Sequence, residues 1–277
     1  MKKIMELFAV LLVSCGLAGC FQVDQVITLS PDGSGIIEET FMISRKVSES
    51  MGALAGGMSE QAGAEGSVKA PPKEQSFFKD EEIKKRGERY GEDVRFVRME
   101  RVANQQFEGY KAVYSFKNIN KLRLDQGPPG MPGQAGQGSE PAPSGTEFVF
   151  TPGKTARLIV KQQKKKAAAE GEISDTTPPA RESSAEELAM VRQMFDGLRI
   201  FTTLVIKGKV IDSNATHRTG STITLAEIDF GKILDKPELL AKMAAVPPGD
   251  QTAAMEMIRN FPGMKIDMND ELRISFR

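Results

Sequence analysis

Residues 23–43 read VDQVITLSPDGSGIIEETFMI. Two runs of alternating apolar residues flank a six-residue turn, and this layout decides the fold. In the first run Val23, Gln25, Ile27 and Leu29 share one face; in the second, Ile37, Phe41 and Ile43 do. Successive side chains of a strand point to opposite faces, so a period of two marks half-buried strands. The turn is Ser30-Pro31-Asp32-Gly33-Ser34-Gly35. Pro31 presets φ, Asp32 bonds back to the backbone, and Gly33 accepts positive φ. An antiparallel hairpin is predicted. A calcium loop at Asp32 is the rival reading, but Ile36 and Ile37 stand where oxygen ligands would have to follow.

Working outward, the same pattern recurs. Val94–Val102 pairs with Tyr110–Phe116, where Tyr110, Ala112, Tyr114 and Phe116 alternate with Lys111, Val113 and Ser115. Thr146–Phe150 and Ala156–Lys161 turn at Thr151-Pro152-Gly153-Lys154. Phe201–Val210 and Ser221–Ile228 make a fourth pair, and Glu271–Phe276 a last strand. Helical spacing is rarer. Val47, Met51, Leu54 and Met58 form one face. Ser184 and Glu187 make a capping box before Leu188, Val191, Phe195 and Leu198. Asp235 and Glu238 repeat that box before Leu239, Leu240 and Met243, and Asp250 opens a helix with Ala254, Met257, Ile258 and Phe261 inward. Lys79–Tyr90 is a weaker helical stretch, charged all round. Together these predict an α+β fold: a mostly antiparallel sheet built from hairpins, with helices packed on one face.

Three stretches carry too little apolar surface to offset the entropy of ordering: Ser59–Gln75, Asp125–Gly145 and Gln163–Ser183. In the second, Gly127, Gly130, Gly133 and Gly136 fall every third residue among prolines. Four triplets are too few for a collagen helix, so a polyproline-like spacer between strands is expected. The expected organisation is a leader at 1–19, a β-rich region at 20–162 with insertions 59–75 and 125–145, a linker at 163–183, and an α+β region at 184–277. One continuous sheet and two smaller ones both satisfy it.

Composition narrows function by exclusion. Lysines and arginines balance aspartates and glutamates at 37 each, so no net field favours nucleic acid. A single histidine, His217, excludes multi-histidine metal sites and sits in a polar turn. Lys164–Lys166 and Asp80-Glu81-Glu82 read as solvated charge, and the Gly52/Gly56 spacing as close helix packing. There is no phosphate-cradling glycine loop and no Gly-x-Ser-x-Gly elbow. No catalytic residue, metal or cofactor is expected. Paired carboxylates of a hydrolase remain an alternative, because they meet in space and not in sequence.

The first residues carry their own signal. Met1-Lys2-Lys3 is a basic start, Leu7–Val13 an apolar run, and Leu17-Ala18-Gly19-Cys20 closes the segment. The run is too short to span a bilayer. This layout resembles bacterial lipoprotein precursors with their lipobox. The resemblance implies a diacylglyceryl group on the Cys20 thiol and signal-peptidase recognition of Leu17, Ala18 and Gly19, with cleavage before Cys20. It also implies export and lipid anchoring in the cell envelope. Phe21 in place of aspartate favours the outer membrane in a Gram-negative host. Cys15 leaves with the leader, so the mature chain keeps no free thiol.

The opening hairpin turn, Lys207-Gly208-Lys209-Val210 with Ser213-Asn214-Ala215, and Gly220 with Thr222-Ile223-Thr224-Leu225 resemble LppM-type envelope lipoproteins. Lys207 and Leu225 depart from that pattern, which has proline and tryptophan there. The resemblance implies a β-rich domain at the envelope holding a lipid, another apolar ligand or a protein partner. The expected function is non-enzymatic: binding at the membrane, or alternatively a structural or assembly role.

Overall fold

The computed structural model describes residues 21–48, 78–125, 145–162, 197–236 and 261–277. Thirteen strands lie among them. They are β1 (Phe21–Leu29), β2 (Gly35–Ser44), β3 (Arg95–Ala103), β4 (Phe107–Phe116), β5 (Arg123–Asp125), β6 (Gly145–Thr151) and β7 (Ala156–Gln162). After these come β8 (Arg199–Ile206), β9 (Val210–Ser213), β10 (Arg218–Thr219), β11 (Thr222–Asp229), β12 (Met264–Ile266) and β13 (Glu271–Phe276). The helices are α1 (Asp80–Arg89) and α2 (Phe230–Leu234), with a 3₁₀ turn at Ile119–Lys121 and residues 45–48 helical.

The strands form two sheets. The larger runs β10-β11-β8-β1-β2-β4-β3, with β12 added beside β11. The smaller runs β5-β6-β7-β13-β9. Each sheet takes strands from both sides of residues 163–183: β1 pairs with β8, and β7 with β13.

The hairpin at 23–43 forms as its alternation requires, with Val23 opposite Phe41 and Ile27 opposite Ile37. Ser30 N–H donates to Ser34 O, and Gly33 takes φ +86. Asp32 Oδ1 accepts from both the Ser34 amide and its hydroxyl, so the loop is a turn closed by its own side chain. The β3–β4 and β6–β7 pairs are also antiparallel.

The fold class differs from expectation. The described residues are 58% strand and 14% helix, and the helices do not cover one face, so the protein is mainly β rather than α+β. Asp235 is the C-cap of α2, whose N-cap is Asp229, and the helix expected after it lies outside the described residues. The expected long strand 201–210 breaks at Gly208, whose φ of +148 turns the chain. Its end becomes β9, which crosses to the smaller sheet and pairs with β13. Asp125 and Gly145, assigned to a spacer, are instead paired ends of β5 and β6. Met51–Met58 with its glycine pair, Ser184–Phe195, Leu239–Met243, Asp250–Ile258 and Lys164–Lys166 lie outside the described residues.

The core runs through both sheets. Ile27, Leu29, Ile37 and Leu204 of the larger sheet and Phe148, Leu158, Ile274 and Phe276 of the smaller belong to one buried cluster. The sheets meet where β1 ends: Phe150 lies against Gly33, and Ile119 N–H donates to Gly33 O.

Candidate functional site

Four residues from the larger sheet, α1 and its C-cap converge on one buried carboxylate. The parity that buries Ile37 and Phe41 on β2 also turns Glu39 inward, where it is 1% exposed. Gln25 lies directly beside it on β1. Tyr110 reaches it from β4, while Arg86 and Tyr90 reach it from α1 and its C-cap.

Every group there has a defined part. Tyr110 Oη donates to Glu39 Oε1 at 2.6 Å. Tyr90 Oη donates to Glu39 Oε2, which also accepts from Arg86 at 3.0 Å. Gln25 Nε2 donates to Tyr90 Oη at 2.9 Å. Tyr114 Oη donates to the Ile83 carbonyl of α1 at 2.7 Å. Arg86 Nε is buried without a hydrogen-bond partner.

Electrostatics follow from burial. Desolvation pushes the Tyr90 phenol well up, the Glu39 charge adds to that, and Arg86 opposes it. Tyr110 and Tyr114 are raised for the same reasons in the same order. Burial works against the Arg86 charge, but Glu39 first, and then Tyr110 and Tyr90, outweigh it and hold the guanidinium protonated. The phenols therefore stay protonated donors and the guanidinium stays charged. Among the described residues no second carboxyl is a partner of Glu39, so these residues do not supply the paired acid and base of a glycosidase. Its geometry fastens α1 to the sheet.

Positions singled out in the sequence fall elsewhere. Leu17, Ala18, Gly19 and Cys20 lie outside the described residues, immediately before β1. His217 is half-buried in the turn before β10, and its carbonyl accepts from Thr224 N–H. The nearby buried Asp267 is taken up by the amides of Thr216 and Asn269. Asp80, Glu81 and Glu82 open α1, where Lys84 pairs with Glu81 and Arg101 with Asp80. Among the described residues no group of His, Cys, Asp and Glu could hold a metal, and no helix is long and apolar enough to cross a membrane.

Glu39, Arg86, Tyr90 and Gln25 were not singled out as a site. Strand alternation places Gln25 and the tyrosines on their faces, and the parity of Ile37 and Phe41 places Glu39 on the same inner face.

No protein-family description and no curated protein matches the chain. Among solved structures, the NMR structure of the folded domain of LppM from Mycobacterium tuberculosis is similar, with a TM-score of 0.32 and 10% identity, covering 94% of this chain and 91% of that one. A superposition of that quality does not establish a shared fold.

Proposed function

We propose that this chain is an exported lipoprotein, anchored through Cys20, whose sheet domain acts by binding and not by catalysis. The observation that carries it is the junction at residues 20 and 21. The lipobox ends at Cys20, and the next residue, Phe21, already lies in β1. Cleavage before Cys20 removes the leader and leaves strand residues 21–29 whole. A lipid on Cys20 would hold the domain at the envelope without a spanning segment.

Binding is favoured over chemistry by the character of the buried polar centre, where both Glu39 oxygens are engaged and the phenols stay protonated. A protein partner is favoured by exposed apolar residues on two sheet edges, Val97 on β3 and Ile211 on β9. A lipid or other apolar ligand is the second reading, and an assembly role the third.

Palmitate labelling tests the anchor: Cys20→Ala is expected to abolish it and to leave the uncleaved precursor. Normal labelling of that variant would sink the reading. Crosslinking in cells from positions 97 and 211 then separates the occupants. A stoichiometric protein adduct supports a partner, while a co-purifying lipid with no adduct supports the ligand.

A further inference from the structure

We infer that the Phe21 end of the larger sheet is the membrane-facing surface, and that it rests on anionic headgroups. The inference rests on the lipoprotein reading above and deepens it by assigning an orientation.

The tether argument comes first. Consecutive Cα atoms lie about 3.8 Å apart, so an anchor at Cys20 has no spacer before Phe21. Phe21 is 7% exposed and pairs with Ile43. Strand β1 is central, between β8 and β2, so the anchor leaves from the middle of that end of the sheet. Nine residues of strand place Leu29 roughly 30 Å from the anchor. The smaller sheet joins at that far end, where Lys207 N–H bonds to Leu29 O and Lys209 to the carbonyl of Arg277. The smaller sheet therefore stands away from the bilayer.

The register then gives the composition of the near end. Phe107 lies opposite Ser44, Arg199 opposite Gln22, and Asp229 opposite Arg199. Arg45 and Lys46 follow β2, and Lys232 and Lys236 lie in and just after α2; all four are exposed. Among the described residues the acids at this end include Glu108, Glu227, Asp229 and Asp235, and Glu227, half-buried, pairs with Lys265 and Lys232. Glu108 is half-buried and accepts from Ser48, and Asp229 is buried between Arg199 and Lys232. Asp235 is exposed. Phe107 and Phe230, both half-buried, lie among the cations. Among the described residues the exposed charge here is mainly positive, which suits anionic lipid. Lys207 and Lys209 are also exposed, but they stand several Debye lengths from the anchor end.

The test uses the lipidated full-length protein in vesicles of phosphatidylcholine, alone or mixed with phosphatidylglycerol. Once Cys20 carries lipid, the mature chain has no other cysteine, so labels can be placed singly at Lys46→Cys, Lys232→Cys, Asp32→Cys and Lys207→Cys. Headgroup-bound quenchers are expected to reach labels at 46 and 232, and water-soluble quenchers to reach those at 32 and 207. In the mixed vesicles, Lys232→Glu with Lys236→Glu is expected to weaken quenching at 46, by about fivefold per charge lost. Lys207→Glu with Lys209→Glu is expected to change nothing. Quenching at 207 before 232, or equal quenching at all four, overturns the orientation. Labels at 46 and 232 shielded from both quenchers also overturn it, since another part of the chain or a protein would then cover this end. Mass analysis of the N-terminal peptide is read separately: an unlipidated Cys20 sinks the anchor, and the orientation with it.

Discussion

The two sheets bury different chemistry. The smaller one is filled by Phe148, Phe150, Leu158, Val160, Leu272, Ile274 and Phe276, with Thr146 the buried polar residue of its strands. The larger one sets Gln25 and Glu39 into its apolar face and closes over them with α1. The difference follows from what each must hold. Strands of the smaller sheet hold one another through backbone ladders and matched apolar faces. Helix α1 buries only Ile83 and Gly87, and one isoleucine is worth about 1.5–3 kcal/mol. Such a helix needs directional bonds, and Arg86, Tyr90 and the Ile83 carbonyl supply them. Apolar packing specifies volume, whereas a buried ion pair specifies which group sits where.

Base is expected to break this comparison most completely. The chain has three tyrosines and no tryptophan, and all three tyrosines sit in the polar centre, so phenolate absorbance reports that region alone. Their folded pKa values are raised above the ordinary 10.0. A raised pKa gives stability that is present below the unfolded value and lost as pH climbs above it. Phenolate is therefore expected to appear together with loss of the sheet signal in circular dichroism, above about pH 10. A tyrosine titrating earlier, in folded protein, would refute the burial of the centre.

Glu39→Ala comes next, at about 3–5 kcal/mol in denaturant unfolding, because it strands a buried arginine. Amide exchange should rise first in residues 80–89. Leu158→Ala in the smaller sheet is expected to cost about 2–5 kcal/mol through its cavity. There α1 should be affected no more than its neighbours; selective opening of α1 would erase the contrast between the sheets. Tyr90→Phe removes one donor to the carboxylate, and about 1.5–3 kcal/mol is expected. The smallest effect belongs to Arg101→Ala, whose pair with Asp80 is exposed, at about 0–1 kcal/mol in the same assay.

Much of the strand layout was legible. The hairpin at 23–43, the strands at 110–116 and 146–161 and the last strand at 271–276 carry a period of two and form; 94–102 also forms, with its alternation broken at a bulge between Phe96 and Arg98. Strands β5 and β12, three residues each, and β10, with two, are too short to show a period. The weak helical stretch at 79–90 formed as α1, held by contacts that no helical stripe announces. Of the polar centre, the tyrosine face was readable from alternation. Glu39 was readable only by trusting parity over charge, and its meeting with Arg86, 47 positions away, was not readable at all.

Local order came from the chain itself, because side-chain alternation, proline and glycine act over two to six residues. From these came the strands and their turns. Beyond the hairpins, tertiary structure alone decided which strands become neighbours. The parallel pairing of β1 with β8, the crossing of β9 at Gly208 and the closing of β7 on β13 are long-range choices. They depend on burying whole faces at once, and no short window of sequence contains that free energy.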